Sequence, residues 1–325
     1  MSPSPKVSGR TSVALKHIAV LAQSLPQRIQ TFRIKSESTS RKLSCAYGER
    51  HKQIFPAGFD AISSSSTQRL CYSFSPEGLY DALTSGYSPE HHVEDIIVKS
   101  ASYCKKNTSP KHEFIIIEVE DRRSPGLRNF IALDRNISEA NRLTGILAST
   151  QSSQSFAAKD EFRVSYDGNK KRLLVQCDLQ DHETLETLAF KSSEPLLLYQ
   201  LATLTRAVSF QRDKYHIISA NCYWFAGLIW DCMVRMRPSA YHKVSQGQIR
   251  GAFLSWLRQS SNSVELQVTY AYVEQELLDV EKKLTIRKQQ WTQSHDAHLY
   301  DELENMRRRV RELEELIPNP DTYYH

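Results

Sequence analysis

"HEFIIIEVEDRRSPGLRNFIALDRN", residues 112–136, contains two runs rich in β-branched and aromatic side chains, Phe114 to Val119 and Asn129 to Leu133. They flank a charged segment that holds Ser124, Pro125 and Gly126. Runs of this length, separated by Pro-Gly punctuation, predict a β-hairpin. Strands joined by so short a connection pair antiparallel, because a parallel pair needs a crossover of a dozen residues or more. The hairpin therefore sets the expectation of a largely antiparallel sheet.

On the C-terminal side, "EFRVSYDG" (161–168) and "KRLLVQCDL" (171–179) read as a second hairpin turning through Asp167, Gly168 and Asn169. The segment "ETLETLAFKSSEPLLLYQLATLTRAVSFQ" (183–211) reads as turning helical. Pro195 stands near its start, and Leu197, Leu201, Leu204 and Val208 lie along one stripe. "KYHIIS" is a short strand, followed by an apolar helix that opens at "NCYWFA". On the N-terminal side, "SPEGLYDALTS" (75–85) starts with a Ser-Pro helix-entry signal. "SPEHHVEDIIVKSASYCKK" (88–106) repeats it, with Val93, Ile96, Ile97 and Ser100 at helical spacing. Helices, hairpins, helix, strand and helix in that order predict an α+β domain over residues 70–240. Residues 241–262 read as a connecting helix or linker.

From Val264 the composition changes to leucines spaced among charges. Leu266, Tyr270, Val273, Leu277, Val280 and Leu284 alternate four and three apart; so do Leu299, Leu303, Met306, Val310, Leu313 and Ile317. Each series is a heptad seam, and the two are out of phase across "TQSHDAH". Over 263–318 this predicts either a continuous coiled coil with a stutter, offering a homo-oligomer interface, or a helical hairpin turned near Ser294 or Asp296. A helix pair packed on the chain's own core is the plainer alternative.

The chain has 325 residues, of which 40% are hydrophobic, enough for a sizeable core. No apolar run is long enough to span a bilayer, so a transmembrane segment is not expected. The six cysteines include no C-x-x-C pair and no zinc spacing, which predicts free thiols in a reducing compartment and neither metal nor cofactor. The net charge of +5 is unevenly distributed: residues 1–52 carry ten Lys/Arg against Glu37 and Glu49. Residues 1–69 read as a basic, Ser-rich and mostly disordered leader, consistent with a cytoplasmic protein or with a mitochondrial transit segment. No aromatic or arginine code for nucleic acid accompanies it.

The chemistry-bearing candidate is Cys222, placed in the first turn of a helix with Asn221 as N-cap. A helix N-terminus offers unpaired N–H groups and a positive dipole end, a setting that favours a nucleophilic thiolate and can polarise a carbonyl oxygen. Such a thiol needs a base, and His112, His182 and His216 all fall in core elements. His112, which opens the strongest strand, has the most rigid support. In a simple 114–119/129–133 hairpin the position across from His112 falls within about two residues of Asp134, the group expected to orient the imidazole. Asn129 and Glu113 are substitutes. Without a base, Cys222 is only a small buried residue sharing a helix face with Phe225, Ile229 and Met233.

"HEFIII" with His112, "NFIALDR" with Asp134 and "NCYWFA" with Asn221, Cys222 and Phe225 together resemble the permuted papain-like thiol enzymes, in which the histidine precedes the cysteine. Lecithin retinol acyltransferase-like proteins are among them. The chain also resembles a group of fungal proteins that share the HEF and NCYWFA arrangement. The resemblance covers residues 110–235 and implies a cysteine-dependent hydrolase or acyltransferase acting on an acyl, thioester or amide bond of an acyl or peptide substrate. In the acyltransferases the second polar residue is a histidine; here the strand 129–135 contains none. Tyr223 and Trp224 also stand where polar residues follow the cysteine. These departures leave room for a non-enzymatic scaffold with an inactive core and a self-associating tail.

Overall fold

The computed structural model describes residues 50–55, 71–85, 93–108, 111–137, 155–212, 214–216, 221–247, 249–254, 257–258 and 262–315. The leader reading lies outside these residues except at Arg50–Ile54 (α1), a short helix whose His51 and Ile54 are buried. Phe55, also buried, joins them in the main core. The core therefore begins ahead of position 70.

Strand β1 (Cys71–Phe74) leads into helix α2 (Pro76–Thr84), which is capped as its Ser-Pro signal predicts: the Ser75 side chain accepts from the Gly78 N–H. The next segment departs from expectation. Among its described residues only Val93–Asp95 is helical, as one 3-10 turn, and Ile96–Lys106 is strand β2. β3 (Glu113–Asp121) and β4 (Arg128–Ile137) pair with each other as the predicted hairpin, with Ile115 opposite Leu133 and Ile117 opposite Ile131, and β3 pairs on its other side with β2. β2 sits between β3 and β6, and most of its side chains on both faces are buried. A strand covered on both sides shows no polar alternation, so its apolar positions fell by chance at helical spacing.

β5 (Ser155–Ser165) pairs with β4 on one side and β1 on the other. The second hairpin does not form, because Lys170–Gln176 is helix α3. Asp167-Gly168-Asn169 works as a helix entry: the Asn169 side chain accepts from the Arg172 N–H at 3.0 Å, and Asp167 accepts from the Asn169 N–H at 3.0 Å. Gly168 has φ +72°, and a Cβ there would stand 2.9 Å from the Arg128 carbonyl oxygen and 2.8 Å from Arg50 Cγ. Gly168→Ala is accordingly expected to lower stability by about 1–3 kcal/mol, read as a shifted urea midpoint.

The segment 183–211 divides. Its first part is strand β6 (His182–Ala189), followed by the short strand β7 (Leu196–Leu197) and helix α4 (Leu198–Gln211). Leu201, Leu204 and Val208 are buried, as the stripe predicts. β8 (Lys214–His216) is the short strand expected there, and helix α5 (Cys222–Met236) follows. Beyond it β9 (Tyr241–Val244) adds to the edge of β6, and β10 (Ala252–Leu254) pairs with β11 (Leu257–Arg258), so the connecting stretch is not helical. The antiparallel main sheet runs β1-β5-β4-β3-β2-β6-β9, with β7 on β2 and β8 on β5.

The uninterrupted "FIIIEV" of β3 is explained by two covered faces. Ile115, Ile117 and Val119 enter the main core with residues of α2, α4 and α5, while Phe114 and Ile116 enter a second core with Leu173 and Leu174 of α3. Helix α6 (Ser263–Glu315) completes the α+β fold. It is unbroken, so no hairpin turns at Ser294 or Asp296; the sequence from 263 to 315 contains neither Gly nor Pro to stop it. The first of the two seams packs inward, with Val273, Val280 and Leu284 buried in the main core. Arg206 of α4 joins α2 to α6 through Glu77 and Glu276. No described helix is long and apolar enough to cross a membrane.

Candidate active site

Cys222 is the first residue of α5. Asn221 caps the helix, its side-chain oxygen accepting from the Trp224 N–H at 3.1 Å and its carbonyl accepting from the Phe225 N–H. The helix start is tied to the histidine strand, because the Tyr223 hydroxyl donates to the carbonyl oxygen of Lys111. That bond holds the residue after Cys222 against the residue before His112.

His112 lies one position ahead of β3. Its carbonyl accepts from the Lys106 N–H at 2.8 Å, which closes the β2–β3 connection, and its ring stacks on Phe114. The imidazole is therefore braced from the backbone and from one face. Nε2 stands 3.0 Å from Asp134 Oδ2. The Cys222 sulfur is close enough to the ring to act on it both as a charge and as a hydrogen-bond partner. In the paired register Asp134 is level with Phe114, so His112 reaches it diagonally across the end of the ladder.

The electrostatics follow from these contacts. Burial would push the His112 imidazole down, but the neighbouring Cys222 sulfur and the Asp134 carboxylate outweigh it and hold the ring up at about 10. Burial would raise Asp134, yet the Arg163 guanidinium, His112 and Asn136 together hold its carboxyl well below the usual carboxylate range. Asp134 is 1% exposed and His112 15%, so both interactions are only weakly screened by solvent.

Two members of this cluster were not singled out from sequence. Arg163 Nη2 lies 2.6 Å from Asp134 Oδ2, and Asn136 Nδ2 donates to the same oxygen at 2.7 Å. Asn136 was findable, since it is two residues along from Asp134 and so on the same strand face. Arg163 was not. Its strand had been paired with 171–179, whereas it lies against β4, with Arg163 opposite Ala132.

The other candidates are engaged elsewhere. His182 opens β6, where Nδ1 contacts the Leu179 carbonyl at 2.6 Å and the ring meets Phe114 edge-on. His216 is in β8, and its side chain lies outside the described residues. Glu113 faces away from its neighbour His112, toward Tyr103, Lys105 and the Gly251 N–H. Asn129 donates to the Ser165 carbonyl at 3.0 Å. Cys104 and Cys232 are pushed up to about 12 by burial.

Taken together, a sulfur at a helix N-terminus, an imidazole between it and a carboxylate, and a guanidinium behind that carboxylate form a chain along which one proton can be held and moved. No protein-family model matches the sequence, no curated protein is similar to it, and no solved structure matches the fold.

Proposed function

We propose that the protein is a thiol-dependent hydrolase or acyltransferase with a permuted papain-like core, acting on an acyl, thioester or amide bond. The observation that carries this reading is one imidazole with its Nε2 on the Asp134 carboxylate and the Cys222 sulfur as its neighbour. A nucleophile, a base and an orienting group in mutual contact are the minimum such chemistry requires.

In the proposed cycle the Cys222 sulfur attacks the carbonyl carbon of the substrate. The carbonyl π pair moves onto oxygen, where the N-terminal end of α5, including the Cys222 N–H, stabilises the charge. Collapse expels the alcohol, thiol or amine, which takes the proton held on His112. This leaves an acyl group on sulfur. Water or another acceptor then gives its proton to His112 and attacks the thioester, releasing the acyl product and restoring the thiol. Asp134 accepts a hydrogen bond from the Nε2–H throughout and stays ionised; Arg163 and Asn136 hold the carboxylate in place.

Peptide-resolved labelling tests the proposal. Iodoacetamide at pH 7 is expected to modify Cys222 well before Cys104 or Cys232, and a p-nitrophenyl acyl ester is expected to leave its acyl group on Cys222. Equal slow alkylation of all three thiols, with no acylated Cys222 peptide, refutes it.

A second reading, a scaffold that associates through its last helix, is favoured by a different observation: the outer half of α6 carries an exposed apolar seam. The two readings are compatible.

A further inference from the structure

The two heptad seams of α6 have different surroundings. Val273, Val280 and Leu284 are buried in the main core. Lys288 makes an ion pair with Glu94, 3.8 Å apart. From Thr292 to Glu312 every residue is exposed. At a rise of about 1.5 Å per residue, the helix from Lys288 to Glu315 extends for about 40 Å. Leu299, Leu303, Met306 and Val310 line this length, and they are 48%, 39%, 51% and 53% exposed. Regularly repeated apolar side chains along an exposed helix are costly to leave in water.

We propose that residues 296–312 form a parallel, in-register coiled coil with the same segment of a second copy. This takes the second reading of the preceding subsection further and does not depend on the chemistry at Cys222. Three features select that occupant. First, the four-three spacing places Leu299, Met306 and Leu313 at heptad position d and Leu303, Val310 and Ile317 at position a. Leucine at d with β-branched residues at a favours two parallel strands, and here Leu299 stands at d and Val310 at a.

Second, the flanking charges are complementary to themselves. In this frame Glu302 and Arg309 fall at g, and Arg307 and Glu314 at e. A parallel in-register dimer places each g residue beside the e residue five positions further along the other helix. That sets Glu302 against Arg307, opposite in sign, on both sides of the seam. Arg307 already leans toward Glu304 within its own helix, 3.8 Å away, a weak exposed pair that leaves it available to exchange partners.

Third, the helix does not have to form at the moment of association. Its first half is ordered by packing on the core, so the outer turns propagate from an existing helix and the nucleation cost is already met. The inner seam is used within the chain, and the phase shift between the seams lets the outer one face elsewhere.

The test uses the full chain. Light scattering from about 1 to 100 µM is expected to show mass doubling to a dimer. Leu303→Glu combined with Val310→Glu is expected to return a monomer with unchanged helix content and thermal midpoint, since both positions are exposed. Arg307→Glu alone should weaken the dimer roughly 5-fold, and adding Glu302→Arg should restore it. For orientation, Leu299→Cys and Val310→Cys are made separately and exposed to oxidised glutathione, which is reduced as the intermolecular disulfide forms. Both variants crosslink to themselves in a parallel dimer; in an antiparallel one only a position on the two-fold axis can. A monomer at every concentration, or a dimer that survives the double glutamate variant, overturns the proposal. Crosslinking at one site or neither overturns the parallel register while leaving self-association in place.

Discussion

His112→Asn is expected to slow carboxymethylation of Cys222 at pH 7 by about 10²-fold, and to slow any acyl transfer at the site by at least as much. The imidazole neighbours the sulfur and is its proton partner in the proposed cycle, and an amide side chain can neither accept nor return a proton at that pH. Cys104 and Cys232 provide the control. Burial raises both thiols, so their slow labelling should be the same in the variant and the parent. Asp134→Asn makes a graded companion. It leaves Nε2 a partner but removes the charge that supports a protonated ring, so its effect should fall between parent and His112→Asn. If His112→Asn alkylates at the parental rate, the ring is a strand-end histidine without a chemical role and the proposed cycle fails.

The largest expected loss of stability comes from the residue next to the histidine. Glu113→Leu should cost about 3–5 kcal/mol. Glu113 is fully buried, 3.1 Å from Lys105 Nζ, and Lys105 is itself only 1% exposed. Removing the carboxylate strands an ammonium group inside the protein with two carbonyl oxygens, those of Ile249 and Ala252, as remaining partners. It also takes away the acceptor for the Tyr103 hydroxyl and for the Gly251 N–H. Burial pushes the Glu113 carboxyl up and Tyr103, Lys105 and the Gly251 N–H offset this only in part, so each member of the network depends on the others. Pairing Glu113→Leu with Lys105→Met should recover most of the loss, because neither charge then remains buried. Urea unfolding of the two single variants and the double variant measures this. A loss below about 1 kcal/mol for Glu113→Leu, or simple additivity in the double variant, would show that Lys105 finds solvent when its partner is removed.

The alternation along β3 accounts for the different duties of His112 and Glu113. Adjacent residues of a strand point to opposite faces, so one side chain meets Asp134 and the other meets Lys105. Alternation therefore removes Glu113 from the substitutes for Asp134, while the short β3–β4 connection that brings Asp134 within reach was legible in the sequence. What could not be read was β5. Arg163 stands behind Asp134 only because β5 lies against β4, and the turn signal at 167–169 suggested a different partner for it. A glycine and an asparagine suit a hairpin turn and a helix entry equally well by φ and capping chemistry. The choice between them rests on whether Leu173 and Leu174 find a sheet face to cover, and that face belongs to β3 and β4.

Wherever the deciding interaction is local, the order of residues alone determined the outcome. The Pro-Gly segment between β3 and β4, the Asn221 cap that starts α5 at Cys222 and the absence of any helix breaker from 263 to 315 act within a few residues of themselves. Tertiary structure decided what depends on distant surfaces: that 96–106 is a central strand, that a guanidinium backs Asp134, and that one heptad seam is buried while its twin is exposed. The physical reason is the same in each case. A hydrogen bond between near neighbours forms wherever the chain permits it, whereas burial needs a second surface, and no stretch of sequence contains the surface that will cover it.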